Sequence, residues 1–186
     1  VKRIEALEIL AGLTADLPVV VTCAASSREL AAVADRPNHL YLLDSMGLAG
    51  SVATGLALTV AESVPRVVAI EGDGSLLMNP NVLPTAGYLR PRKLLMVLLD
   101  NGVYGATANL PTYGVDLGAL AEASGWTVQR AAAPEDLRSG FTQALTVDGP
   151  VLLHVRIEVG NAAGVPKLLA NPVVVGRRFQ DWLAAR

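Results

Sequence analysis

Two short stretches carry residue types that could hold a metal ion and a phosphate group together. The first is Gly72-Asp73-Gly74-Ser75. Glycines let a backbone turn sharply and approach a ligand closely. Successive N–H groups of such a turn cradle phosphate oxygens, and a helix starting there adds a favourable dipole. Asp73 supplies a hard carboxylate oxygen. The second stretch is Asp100-Asn101-Gly102-Val103-Tyr104-Gly105. Asn101 offers a side-chain carbonyl, and a turn at Gly102 can aim the Val103 main-chain carbonyl the same way. Magnesium takes oxygen ligands in a tight octahedron and commonly completes it with phosphates and water. Asp73, Asn101 and the Val103 carbonyl, with two diphosphate oxygens and a water, would fill that octahedron. A lone Gly-Asp-Gly is usually an ordinary turn. Here it follows a strand-like run, and Asn101 closes the next one, which is a far more specific arrangement.

The elements that must position these groups are legible from periodicity. Residues 66–71 (RVVAIE) form a buried strand ending at the first turn. Residues 93–100 (KLLMVLLD) contain six consecutive apolar residues, as expected of a central parallel strand covered on both faces. Before them come an amphipathic helix over 3–14, a strand after Pro18, a helix from Ser26 to about Asp35, a strand over 39–43 and a helix from about Gly47 to Ala61. Ser26 with Glu29 three positions later has the form of a capping box. Pro80 and Pro84 break the segment after the first turn, leaving a short helix to about Tyr88. Beyond the second turn the pattern gives helices over 117–124 and 135–146, strands over 126–130 and 151–157, and a short helix over 177–185. Strands alternating with helices imply an α/β fold, a doubly wound, mainly parallel sheet with helices on both faces. Residues 1–160 make one domain, to which the arm and helix of 161–186 belong. In such a sheet ligands sit beyond the carboxyl ends of the strands, where both turns fall.

Composition narrows the function. Hydrophobic residues make up 52% and charged residues 17%, enough to fill a core and leave apolar surface for another subunit. A net charge of −2 gives no basic footprint for nucleic acid and no polybasic membrane anchor. Cys23 is the sole cysteine, and His39 and His154 are the only histidines, so a Cys/His zinc site or an iron–sulfur cluster is excluded within the chain. A cytoplasmic location fits this. The uncharged stretch from Ser45 to Ala61 is short for a bilayer and interrupted by Ser45, Ser51, Thr54 and Thr59, so a buried small-residue helix is expected there.

The run GDGSLLMNPNVLPTAGYLRPRKLLMVLLDN resembles the cofactor motif of thiamine diphosphate-dependent enzymes, a Gly-Asp-Gly followed within thirty residues by Asn. The resemblance covers most of the chain and is to the diphosphate-binding domain. It leans toward the sulfopyruvate and phosphonopyruvate decarboxylases, through Ser27-Arg28-Glu29-Leu30, His39-Leu40-Tyr41 and Ser45-Met46-Gly47. It implies thiamine diphosphate and Mg²⁺ as cofactors, bound by Asp44, Ser45, Met46, Gly72, Asp73, Gly74, Ser75, Asn101, Val103, Tyr104 and Gly105. By the same resemblance Met46 props the bent cofactor, and the Asp44 carbonyl accepts from its aminopyrimidine. The substrate implied is a small anionic 2-oxo acid, and the reaction its decarboxylation.

The family's catalytic glutamate belongs to a pyrimidine domain that this chain lacks, so a pyrimidine-domain α subunit in a hetero-oligomer is implied. None of Glu5, Glu8, Glu29, Glu62, Glu71, Glu122, Glu135 or Glu158 lies in a matching motif, and no catalytic acid or base is assigned here. Glu71 is expected only to end its strand, His154 to be a structural strand residue, His39 to bond locally and Cys23 to be a small buried hydrophobe. Three departures from the relatives stand out. Ala24 and Asp44 occupy positions where glycine is usual, and Tyr104-Gly105 replaces a His-Glu pair. Two other readings are a subunit of a split carboligase or 2-oxo acid oxidoreductase, and a non-catalytic cofactor-binding module.

Overall fold

The computed structural model describes residues 1–112 and 114–186. Six parallel strands form one sheet: β1 (Val19–Val21), β2 (His39–Tyr41), β3 (Val67–Gly72), β4 (Leu94–Asp100), β5 (Thr127–Ala131) and β6 (Val151–Arg156). Their order across the sheet is β2-β1-β3-β4-β6-β5. The chain moves outward from β1 to β2 and then crosses back to β3. Connections leaving β1 and β3 therefore diverge, and a crevice opens between their carboxyl ends.

Eight helices cover the sheet among the described residues: α1 (Arg3–Leu13), α2 (Ala25–Ala34), α3 (Ala49–Thr59), α4 (Asp73–Leu76), α5 (Val82–Leu89), α6 (Leu117–Ala123), α7 (Pro134–Ala144) and α8 (Pro172–Ala184). The alternation of side chains along β3 and β4 divides the core in two. Val68, Ile70, Leu95, Val97 and Leu99 join Leu7, Leu10, Leu30 and Phe141 on one face. Val67, Ala69, Leu94, Met96 and Leu98 join Ala49, Ala53, Leu83 and Leu117 on the other. All seven β4 residues are buried, as their unbroken apolar run requires. The small residues of α3 have a packing reason. A Cβ on Gly50 would stand 2.5 Å from the Met96 Cε, so a larger residue there would make the Met96 side chain shift. No helix among the described residues is long and apolar enough to cross a membrane.

Three local expectations need correction. Ser26 and Glu29 form no capping box: α2 begins at Ala25 after Ala24, and no side chain caps it. Glu29 instead turns inward to a buried ion pair with Arg3 at 2.8 Å, a tertiary contact that overrides the local pattern. Pro84 does not break the segment but sits in the first turn of α5, where a missing N–H is harmless. The last helix starts at Pro172, five residues before the expected 177. Asn171 caps it by accepting from the Val173 N–H, and Pro172 is preset for a first turn. Val175 on this helix reaches the core, and Arg178 pairs with Asp35 at 2.7 Å.

Candidate active site

A cavity of about 350 Å³ lies at the β1/β3 crevice and reaches the tip of β4. Its walls include Met46, Gly72, Asp73, Gly74, Ser75, Asn101, Val103, Tyr104 and Gly105. Both turns singled out in the sequence therefore face one space, because β3 and β4 are neighbours in parallel register, Gly72 opposite Leu99. Asp44 and Ser45 do not line it. Asp44 is exposed, and the Ser45 hydroxyl bonds locally to the Leu43 carbonyl at 3.4 Å.

The β3 turn is held from several sides. Asp73 is 4% exposed, and its Oδ2 accepts from the Thr112 hydroxyl at 2.8 Å. Burial pushes its carboxyl above the usual carboxylate range. The Thr112 hydroxyl and the Gly74 and Asn101 N–H groups oppose that shift, and the charge of Asp100 adds to it. The Tyr104 ring covers Gly74, where a Cβ would come within 2.8 Å of the ring Cδ1. The Ser75 hydroxyl is bound to the Thr22 hydroxyl at 2.7 Å and accepts from the Gly47 N–H at 2.8 Å. Ser75, expected to touch cofactor, is thus engaged in fastening β1, the Met46 loop and the β3 turn together.

Glu71 does more than end a strand. Its Oε1 accepts from the Ala49 N–H at 3.0 Å, so a buried carboxylate caps α3 directly after the Met46 loop. Burial pushes it up to about 7, against the donors around it, Ser75 and the N–H groups of Ala49, Gly50 and Gly72. Gly47 has φ +82° and lies so close to the Ser75 carbonyl that a Cβ would stand at 3.0 Å. Asp44, with φ +59°, adopts a conformation more natural to glycine, which matches its departure from the relatives.

The β4 turn is braced from behind. The Asp100 Oδ1 accepts from the Gly102 N–H at 2.9 Å, and its Oδ2 meets the His154 Nε2 and the Arg156 Nη1, each at 2.6 Å. Burial alone would raise the Asp100 carboxyl, but the hydrogen bonds from His154 and Arg156 outweigh it and hold it below the usual range. The Asn101 Oδ1 accepts from the Val103 N–H at 3.0 Å, and the Val103 carbonyl accepts from the Gly105 N–H at 2.9 Å. Each of these oxygens keeps a second lone pair. Val103 bridges to Pro111, and the loop returns Thr112 to Asp73.

A further wall comes from Thr22, Cys23, Ala24, Ala25, Ser26 and Arg28, after β1. None of these six stood among the candidate site residues. Their signal was topological, since β1 borders the crevice only once the strand order is known. Ala24 has φ 65° and ψ −132°, a conformation that favours glycine and stores strain in an alanine. Cys23 is mostly buried, as expected, yet it borders the cavity, and burial with the nearby carboxylates of Glu71 and Asp44 pushes its thiol up. His39 lies outside this space. Its Nδ1 meets the Tyr41 hydroxyl at 3.2 Å, and burial pushes the ring down to about 4, leaving it neutral. Glu5, Glu8, Glu122 and Glu135 are exposed.

These groups suit a divalent cation with a diphosphate. Asp73, Asn101 and Val103 offer hard oxygens, and a bound cation would relieve a carboxyl that burial disfavours as an anion. Among the described residues no group of three His, Cys, Asp or Glu side chains could hold a metal ion. A cation here would take one carboxylate, Asp73, with the neutral oxygens of Asn101 and Val103.

Fold and site together define a parallel α/β domain with a cavity at its strand tips whose oxygens suit a metal and a phosphorylated ligand. The chain belongs to the thiamine pyrophosphate enzymes, matching the model of their C-terminal TPP-binding domain over residues 22–155. Thiamine diphosphate with magnesium is the cofactor. The chain is 46% identical to the sulfopyruvate decarboxylase subunit beta of Methanothermobacter thermautotrophicus, covering 96% of this chain and 93% of that one. It is 41% identical to the phosphonopyruvate decarboxylase of Streptomyces viridochromogenes, over 97% of this chain but only 46% of that longer one. Among solved structures, a thiamin diphosphate-dependent enzyme from Mycobacterium smegmatis superimposes with a TM-score of 0.74 at 24% identity. That match covers 86% of this chain and 32% of the other, and bears on the fold alone.

Proposed function

We propose that this chain is the diphosphate-binding, β-type subunit of a split 2-oxo acid decarboxylase, and that its substrate is sulfopyruvate. The observation that carries the reading is the convergence of Asp73, Asn101 and Val103 on one crevice whose wall contains no glutamate. Among the described residues, the charged ones of that wall are Arg3, Arg28 and Asp73. Near full-length similarity to a free-standing subunit beta, against half the length of the phosphonopyruvate enzyme, supports a separate pyrimidine-domain partner. Residues 1–160 and the arm 161–186 then act as one domain. The cytoplasm is the compartment that a single reduced cysteine suits.

The cofactor supplies an electron sink for the carbanion left when a 2-oxo acid loses carbon dioxide. This chain's residues do the binding and insulating. Asp73, Asn101 and the Val103 carbonyl would hold the cation together with the diphosphate oxygens. The Gly74-Ser75 turn, covered by the Tyr104 ring, would lie against the phosphate groups, and Met46 would pack against the bound cofactor. The partner would contribute the glutamate at the aminopyrimidine end, beyond the cavity that Met46 borders.

Reconstitution tests this. The chain mixed with a pyrimidine-domain chain, thiamine diphosphate and Mg²⁺ should release carbon dioxide from sulfopyruvate, while either chain alone turns nothing over. Full activity of this chain by itself would refute the split site.

A further inference from the structure

Two arginines line the cavity, and their circumstances differ. The Arg3 Nε and Nη2 bond to the Glu29 carboxylate at 3.1 and 2.8 Å, and Nη2 also reaches the Gly160 carbonyl and the Asn161 Oδ1. Through Nε and Nη2, Arg3 is engaged in pinning the arm at 160–161 to α1 and α2. Arg28, one turn into α2, joins none of the ion pairs that engage Arg3, Arg156 and Arg178. Its Nε is buried without a hydrogen-bond partner. A guanidinium nitrogen removed from water and left unpaired is unfavourable unless a ligand completes it. The one acidic side chain in the described cavity wall, Asp73, is engaged by the Thr112 hydroxyl and forms no ion pair with Arg28. The surroundings of Arg28 favour an anion further: Ser26 shares its turn, and α2 starts there without a side-chain cap.

We propose that Arg28 recognises the second anionic group of the substrate, the tetrahedral sulfonate or phosphonate at the end opposite the carboxylate. This selects dianionic 2-oxo acids over pyruvate, and it rests on the decarboxylase reading above. The choice between the two ends follows from the reaction. The carboxylate leaves as neutral carbon dioxide, so a strong fixed cation on it would hold the ground state back more than the transition state. The distal anion persists unchanged from substrate to product. A permanently charged, planar fork of donors suits a tetrahedral oxyanion better than a lysine would.

The test uses the full chain loaded with thiamine diphosphate and Mg²⁺, with ¹⁵N-labelled arginine. The Nε–Hε resonance of Arg28, assigned by its loss in Arg28→Gln, is followed during titration with sulfoacetate, phosphonoacetate or acetate. The first two should move it saturably and acetate should not. In the reconstituted complex, Arg28→Gln should raise KM for sulfopyruvate about 10- to 100-fold, the loss of one charge-assisted contact. The KM for pyruvate should stay unchanged, and Arg28→Lys should recover part of the loss. The proposal is overturned if the resonance moves on cofactor addition, Arg28→Gln weakens cofactor binding tenfold and sulfoacetate adds nothing. It is equally overturned if the resonance answers only to the partner chain. Failure of the wild-type chain to bind cofactor at all would instead overturn the function proposed above.

Discussion

The two walls of the crevice are built on different principles. On the β3/β4 side nearly every polar group already has a protein partner: Asp73 with Thr112, Ser75 with Thr22 and Gly47, Asn101 with Val103, Asp100 with His154 and Arg156. On the β1/α2 side the backbone is strained at Ala24, α2 starts uncapped, and Arg28 keeps a buried nitrogen unpaired. The first wall has its polar groups fastened to one another, which suits a cation that tolerates little distortion. The second holds unused capacity for negative charge, which suits a group that comes and goes with each turnover.

The largest effect should come from the β3/β4 wall. Asp73→Ala should lower Mg²⁺-dependent thiamine diphosphate affinity at least 100-fold, since it removes the one charged protein ligand of the cation. Isothermal titration with and without Mg²⁺ measures this, and circular dichroism checks that the fold persists. Unchanged affinity would break the assignment of that wall to the metal. A smaller effect is expected at the brace behind it. Asp100→Asn keeps an acceptor for the Gly102 N–H but loses the charge paired with Arg156 and His154. Mg²⁺ affinity should fall about tenfold through loss of outer-sphere support, with the cofactor otherwise bound as before. A variant equal to wild type would show that the Asn101 turn needs no support.

The smallest effect belongs to the strained wall, and its sign is opposite. Ala24→Gly relieves a left-handed backbone and should stabilise the chain by about 1 kcal/mol in urea unfolding, after the entropy of the added glycine is deducted. Destabilisation would mean that the turn after β1 is relaxed with alanine in place.

The difference between the walls also marks what could be read from the chain before its structure. The β3 and β4 tips were legible because glycine, acid and amide residues interrupt long apolar runs, so turn and chemistry coincide in a few consecutive residues. The alternation of elements likewise gave a doubly wound sheet, with strand ends off by a residue or two. The β1/α2 wall was not legible. The left-handed backbone of Ala24 shows only in the glycine that the resemblance expects there, and Ser26 with Glu29 imitates a capping box while Glu29 pairs with Arg3 far away in sequence. Asp44 and Ser45 were placed in the site by resemblance, yet they stand outside the cavity, because the loop's left-handed turn presents Met46 instead. The Asn171-Pro172 start of α8 was a readable cap and first-turn signal, obscured by the irregular arm before it.

The central claim is that one cation ties a diphosphate to the neighbouring tips of β3 and β4. Crystals grown with thiamine diphosphate and Mn²⁺ in place of Mg²⁺, measured at the manganese absorption edge, test it most directly. An anomalous peak should stand about 2.1–2.3 Å from an Asp73 carboxylate oxygen, the Asn101 Oδ1 and the Val103 carbonyl, with diphosphate oxygens beside it. A peak elsewhere, or cofactor bound with no metal between these tips, would contradict the account.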